Sequence, residues 1–289
     1  MDLPTRVYLN GEILPAESAR ISVFDRGFVF GDGVYEVIPV YGGRPFRLSH
    51  HLQRLDASLA AIRIANPMTH GGWEEVFREL TREHGPVDQS IYLEVTRGVA
   101  PRDHAFPSGI AATVFAYAQP LAYPAPEKVL AGVSAITVPD VRWSRCDIKT
   151  IALLANVLMR QKAVESGCAE AILVRNDCLT EGAASNIFTV SAGILSTPPR
   201  GPFILPGITR DLVIELAHRS NIPCVEREIR QVELLSADEV WMTSSTKEIL
   251  PIVRIDGRDI GDGRPGPLHA RLQALYQEYK HAFRKGQAE

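Results

Sequence analysis

Paired cysteines, an excess of one charge and long apolar runs are all missing from this sequence. The four cysteines, Cys146, Cys168, Cys178 and Cys224, stand singly with no CxxC spacing. Neither a disulfide framework nor a zinc or other metal site is therefore expected, and the thiols read as buried side chains. The 31 Lys and Arg residues nearly balance the 34 Asp and Glu, for a net charge of −3. No run of like charge supplies the basic face that nucleic acid or anionic lipid requires, so no nucleic-acid or membrane partner is expected. Apolar stretches fall short of the roughly 18 residues of a membrane span, and the opening MDLPTRVYLNGE has no apolar signal segment. A cytoplasmic location is the expectation. Also missing is a GxGxxG turn after a strand, which argues against a dinucleotide-binding Rossmann unit; Gly31-Asp32-Gly33 alone reads as a turn.

What is present is a chain of 289 residues, 45% hydrophobic, enough to bury the core of one large domain or two modest ones. The strongest interruption is Pro120-Leu121-Ala122-Tyr123-Pro124-Ala125-Pro126. Three prolines there fix φ and remove amide donors, so neither a helix nor a central strand continues. This divides the chain into a domain at 1–119, a linker at 120–126 and a larger domain at 127–289. Ahead of the linker, Asn10-Gly11 suits a type I′ turn between Val7–Leu9 and Glu12–Leu14, and Val34–Tyr41 turns at Gly42-Gly43. Leu52, Leu55, Leu59 and Ile62 give a helix from about Ser49 one apolar face. Ser90–Val99 and Ile110–Ala118 read as strands. Beyond the linker, Val129–Val138 reads as a strand and Leu153–Ser166 as a helix stopped by Gly167. Short strands follow at Ala171–Arg175, Ile187–Val190, Cys224–Ile229 and Glu239–Thr243, with helices opening at Thr209 and about Leu268. The elements mix as α+β and α/β without a regular βαβ rhythm.

Four places carry residues suited to chemistry. Lys149 precedes the apolar run Ile151-Ala152-Leu153-Leu154; it is either a solvated ammonium or an amine drawn inward, where burial lowers its pKa toward nucleophile and base. Glu181, in a small-residue loop ahead of Ile187-Phe188, is a turn acid or a group held against a ligand. Gly207-Ile208-Thr209 at a helix start and Thr243-Ser244-Ser245-Thr246 at a strand end are caps or, taken together, donors for an anionic phosphate. Arg102 and His104 lie two apart on a strand-end loop, as loop charges in water or as a fork and a donor for a carboxylate.

Taken in order, these blocks resemble the class IV aminotransferases, the fold-type IV enzymes that depend on pyridoxal 5′-phosphate, over nearly the whole chain. The family pattern is matched by Glu181, Ala183, Asn186, Ile187 and Phe188 and by Gly207-Ile208-Thr209-Arg210. Within the family the resemblance is to the branch acting on D-amino acids, through Asp25-Arg26-Gly27, Phe30 to Val37, Val95-Thr96-Arg97-Gly98, Pro101-Arg102-Asp103-His104 and Arg142 to Lys149.

The resemblance implies a two-domain fold, a small N-terminal and a larger C-terminal domain with the cofactor in the cleft. Lys149 is then the lysine that bonds the cofactor aldehyde and, once released, carries the substrate α-proton. Glu181 pairs with the pyridine nitrogen; Arg54, Ile208, Thr209, Ser244 and Ser245 hold the phosphate; and Tyr35, Arg102 and His104 trap the substrate carboxylate. The implied activity moves an amino group from D-amino acids such as D-alanine to 2-oxo acids such as 2-oxoglutarate in a ping-pong cycle, by a homodimer. Branched-chain L-aminotransferases, R-selective amine transaminases and aminodeoxychorismate lyases of the same fold are the alternatives. Two departures stand out: Ala183-Ala184 replace a common Ser-Ser pair, and Pro206 stands where a lysine can occur.

Overall fold

The computed structural model describes residues 3–288. The chain divides into two units, one of Met1–Ala122, Ile148–Leu153 and Phe283–Glu289 and one of Tyr123–Asp147 and Leu154–Ala282.

In the first unit, β1 (Arg6–Leu9) and β2 (Glu12–Pro15) form the hairpin that Asn10-Gly11 predicts. Both turn residues are left-handed, at φ +50° and +105°, the twist that matches the flanking strands. There follow α1 (Arg26–Phe30), β3 (Gly33–Tyr41), β4 (Arg44–Pro45), α2 (Leu48–Ala61), α3 (His70–Thr81), β5 (Gln89–Thr96) and β6 (Thr113–Pro120). The antiparallel sheet runs β2-β1-β6-β5-β3-β4. Leu52, Leu55 and Leu59 of α2 pack with Trp73 and Phe77 of α3 onto Val34, Ile38, Ile91, Leu93 and Val95. Each fully buried side chain of this size contributes about 1.5–3 kcal/mol, which fixes the register of both central strands.

The first break between units falls inside the proline-rich segment, but a single division at 120–126 does not describe the chain. Ile148–Leu153 belongs to the first unit because Ile148 buries its side chain in that core. Backbone bonds bind the segment to β3: the Tyr35 amide donates to the Lys149 carbonyl at 2.9 Å and the Ile151 amide to that of Gly33 at 3.1 Å. Phe283 returns too, meeting the Phe46 ring edge-on at 4.9 Å and accepting from Arg44 Nη1 at 2.6 Å.

The second unit holds α4 (Pro126–Ala131), β7 (Val133–Pro139), α5 (Leu154–Glu165), β8 (Glu170–Arg175), β9 (Cys178–Gly182), β10 (Asn186–Ser191), β11 (Ile194–Thr197), α6 (Ile208–Arg219), β12 (Cys224–Glu226), α7 (Gln231–Leu235), β13 (Glu239–Ser244), β14 (Glu248–Ile255), β15 (Arg258–Asp259) and α8 (Pro267–Arg284). The mixed sheet runs β12-β11-β10-β13-β14-β7-β8-β9, with β15 paired to β14. Its core gathers Ile172, Ile187, Leu234, Val240, Met242, Leu250 and Ile252.

Several expectations change here. Val129–Ala131 is helical, because Pro126 stands at the start of α4 with its φ already set. The strand at Cys224 ends by Glu226, and Glu181 lies within β9 rather than in the loop that follows. Only Cys146 of the four free cysteines is fully buried; Cys168, Cys178 and Cys224 are half-buried. Burial pushes the Cys146 thiol up to about 11, which leaves it protonated and unreactive.

Candidate active site

In the first unit, Thr150 bridges to Val34 at the start of β3, and this places Lys149 beside Tyr35. The half-buried Lys149 amine stands 4.0 Å from the centroid of the Tyr35 ring. Tyr35 in turn stacks on Tyr92 at 5.7 Å. Its cross-strand neighbour on the same face is Glu94, which accepts from the Tyr92 hydroxyl at 2.7 Å.

Glu36, one residue on, faces the opposite side of β3 and meets α2. Arg54 grips it with both arms, Nε to Oε1 at 2.8 Å and Nη2 to Oε2 at 2.7 Å. His51 Nδ1 lies 2.7 Å from Oε2. Burial opposes charge on Glu36, yet the Arg54 guanidinium and the His51 contact win and hold its carboxyl down at about 2. Burial keeps His51 below its ordinary value, against the pull of Glu36. The Arg54 expected on sequence grounds is thus a buried, oriented group, aimed by Glu36, which His51 holds in turn.

Arg102 and His104 come together at one ring: the Arg102 guanidinium lies 5.4 Å and the His104 ring 5.3 Å from the centroid of Phe30. Both are exposed. Their loop is tied down by Arg26, which donates to the Asp103 carbonyl and, at 2.8 Å, to Asp32. Arg97 grips the same Asp32 carboxylate at 2.8 and 3.0 Å, so the Gly31-Asp32-Gly33 turn serves as an anchor for two arginines.

In the second unit Glu181 is buried and fully engaged. Its Oε1 accepts from Arg142 Nη1, and its Oε2 accepts from Asn186 Nδ2 at 3.1 Å and the Leu205 amide at 3.0 Å. Arg142 also clasps Asp140 through Nε and Nη2, each at 2.9 Å. Burial pushes Glu181 up to about 7, with Arg142 pulling it back.

Asn186 connects this carboxylate to the remaining predicted residues. Its Nδ2 also donates to the Leu205 carbonyl at 2.9 Å, and across the sheet it pairs with Thr243. Gly207, which opens α6, lies so close that a Cβ there would stand 2.0 Å from Asn186 Oδ1. Among the described residues no side chain caps α6, so Ile208 and Thr209 lie in a first helical turn whose amides lack a side-chain acceptor. Ser244 ends β13 and Ser245 begins the turn to β14; the buried Thr243 Oγ1 beside them has no hydrogen-bond partner among the described residues.

Taken unit by unit, the residues fit a pyridine aldehyde phosphate: in the second unit an uncapped twelve-residue helix and adjoining hydroxyls suit a phosphate and a buried acid suits a protonated ring nitrogen, while the first unit carries in Lys149 an amine of the kind that bonds an aldehyde. Asn186, Arg142, Glu36 and His51 were not singled out as site residues. Asn186 stood in the matched pattern without a role, and no spacing rule pairs Arg142 with Glu181, 39 positions away.

A model of the class IV amino-transferases matches residues 33–255. The chain is 42% identical over 272 residues to a D-alanine aminotransferase of Bacillus licheniformis, covering 94% of this chain and 96% of the relative. It is 40% identical to a D-alanine aminotransferase of Staphylococcus epidermidis, covering 95% and 98%. Among solved structures, the branched-chain amino acid aminotransferase from Escherichia coli superposes with a TM-score of 0.87 at 28% identity, covering 99% and 96%. The chain belongs to the class IV aminotransferases, enzymes that depend on pyridoxal 5′-phosphate.

Proposed function

We propose that this protein is a D-amino-acid transaminase that moves the amino group of D-alanine or related D-amino acids to 2-oxo acids such as 2-oxoglutarate, giving pyruvate and D-glutamate. The observation that carries the reading is the Lys149 amine 4.0 Å over Tyr35, a proton carrier beside a residue of the carboxylate trap. Bound pyridoxal 5′-phosphate supplies an electron sink that acidifies the substrate α-hydrogen. Lys149 takes that proton and returns it. Glu181, as a carboxylate, holds a proton on the ring nitrogen, while Arg142 and Asn186 keep it aimed. Arg54, Ile208, Thr209, Ser244 and Ser245 bind the phosphate, the first oriented by Glu36, the rest by the opening of α6 and the end of β13. Tyr35, Arg102 and His104 bind the substrate carboxylate, which selects the enantiomer whose α-hydrogen faces the lysine. A homodimer fits the exposed apolar Phe24, Phe28 and Val99 near the Arg102 loop, and a cytoplasmic location without a nucleic-acid or membrane partner fits the balanced charge.

Likeness to branched-chain enzymes favours a second reading, transamination of L-leucine and its kin. The greater identity to D-alanine enzymes, 42% against 28%, ranks it behind the first. Coupled turnover with 2-oxoglutarate decides: pyruvate is expected from D-alanine and not from L-alanine. Activity confined to L-amino acids would overturn the proposal.

A further inference from the structure

The turn that joins β13 to β14 carries Ser244 and Ser245, and the residue at its exit is under strain. Glu248, opposite Ser244 in the hairpin register, has φ +56°. A residue with a Cβ holds the left-handed region only where its surroundings enforce it. Here α8 grips the side chain of that residue. Lys280 Nζ donates to Glu248 Oε1 at 2.6 Å and Gln277 Nε2 to Oε2 at 2.6 Å. Three positions apart, the two donors share one face of the helix. The pair is dry: Glu248 is 6% and Lys280 4% exposed, and Lys280 also reaches the Tyr123 hydroxyl at 2.8 Å. A buried ion pair is a poor source of stability compared with apolar packing of the same volume, so its effect is best sought in geometry. Inside the turn, the Lys247 amide donates to Ser244 Oγ at 3.2 Å. Lys247 Nζ lies 3.5 Å from Glu170 Oε2, which also accepts from Ser185 Oγ at 2.9 Å. The exit of the turn is therefore held twice, by α8 through Glu248 and by Glu170 at the start of β8 through Lys247.

We infer that Lys280 and Gln277 of α8 are positioning residues for cofactor phosphate: by clamping Glu248 they fix the turn that presents Ser244 and Ser245. The inference rests on the assignment of those two serines to the phosphate. Its test compares apo-protein affinity for pyridoxal 5′-phosphate with affinity for pyridoxal, which lacks the phosphate. Lys280→Met should weaken binding of the phosphorylated form at least tenfold and leave pyridoxal within twofold. Glu248→Gly relieves the backbone but removes the clamp, and the same loss of preference is expected; a retained preference would show that only the left-handed φ mattered and would overturn the inference. Should Lys280→Met fail to fold, Gln277→Leu leaves the ion pair in place and should reduce the preference three- to tenfold. Equal weakening of both ligands, or an unchanged preference in folded variants, would also overturn it. A wild-type protein with no preference for the phosphorylated form would instead remove the serine assignment, and this inference with it.

Discussion

Arg142 and Glu181 form one buried ion pair, and the same guanidinium is shared with Asp140. Arg175 approaches Asp140 as well, at 3.3 Å, yet burial outweighs the pull of Arg142 at Glu181, whose carboxyl is pushed up to about 7. The acid is poised between its neutral and ionised forms. A protonated ring nitrogen placed against it would complete the ionisation, so the protein holds Glu181 ready to become a carboxylate when a cation arrives.

The poise at Glu181 has a sign that stability measurements can read. Between pH 4.5 and about 7 the folded chain keeps the Glu181 proton while the unfolded chain releases it, so this group lowers apo-protein stability as pH rises through that window. In Glu181→Gln this slope disappears. The difference in unfolding free energy between wild type and variant should change by on the order of 2–3 kcal/mol from pH 4.5 to 7.5, checked by urea denaturation of both apo-proteins. Parallel pH profiles would mean that Arg142 keeps the carboxyl ionised throughout.

Glu36 has the opposite sign. Its folded value of about 2 lies below the ordinary 4.5, so its contribution is complete above pH 4.5 and is lost as pH falls through about 2. Glu36→Ala takes the carboxylate away from the buried Arg54 guanidinium and should destabilise the chain by about 3–5 kcal/mol. It should also weaken binding of pyridoxal 5′-phosphate, because the guanidinium loses the two-armed contact that aims it. Denaturant titration and cofactor titration of the same variant measure the two effects.

How far the residues announced these relationships depends on the range over which they act. The Asn10-Gly11 hairpin and the stop of α5 before Gly167, at φ +68°, follow from local backbone chemistry and were legible. So was a helix opening at Thr209, one residue past its observed start at Ile208. The strands β9, β11 and β14 were not: Cys178–Gly182 carries Thr180 and Glu181 among its buried residues, and polar side chains buried by tertiary pairing give no alternating signal. The return of Ile148–Leu153 to the first unit rests on bonds from Tyr35 and to Gly33, more than a hundred positions away. The clasp of Arg54 on Glu36 joins a helix to a strand 18 positions apart, a pairing that no local spacing announces.

Lys149→Ala should abolish transamination with every amino donor, by a factor of at least about 10⁴, since the α-proton loses its carrier. The Lys149 side chain rests on the Tyr35 ring, a contact worth little to the fold, so the thermal midpoint should move little. Stopped-assay pyruvate production and circular dichroism check the pair of expectations. Turnover within tenfold of wild type would remove Lys149 from the reaction.

Arg102 is exposed and its guanidinium rests on the Phe30 ring, so its removal should spare the fold. A charge-assisted bond to a carboxylate contributes about 1.5–3 kcal/mol. Arg102→Ala should therefore raise KM for D-alanine roughly 10- to 100-fold, with a smaller change in kcat. His104→Ala should act in the same direction and more weakly. Steady-state kinetics over a wide range of D-alanine concentration separate the two parameters, and an unchanged KM would place the carboxylate elsewhere.

Gly207 lies where a single methyl group would be felt at two places. Its φ of −73° suits any residue, so a side chain there brings no backbone strain. The obstacle is Asn186, whose Oδ1 would lie 2.0 Å from the new Cβ. Asn186 cannot retreat freely, because its Nδ2 is shared between Glu181 and the Leu205 carbonyl. Gly207→Ala must displace the amide that aims Glu181, or the start of α6 with the Ile208 and Thr209 amides, or both. A fall of at least about tenfold in kcat/KM is expected, since small misplacements of positioning groups cost this much, together with weaker binding of pyridoxal 5′-phosphate. Asn186→Ala opens the space; in the double variant the helix start can relax, and part of the cofactor affinity should return while the loss at Glu181 remains. Cofactor titration of the three variants distinguishes a clash at Asn186 from a general loss of α6.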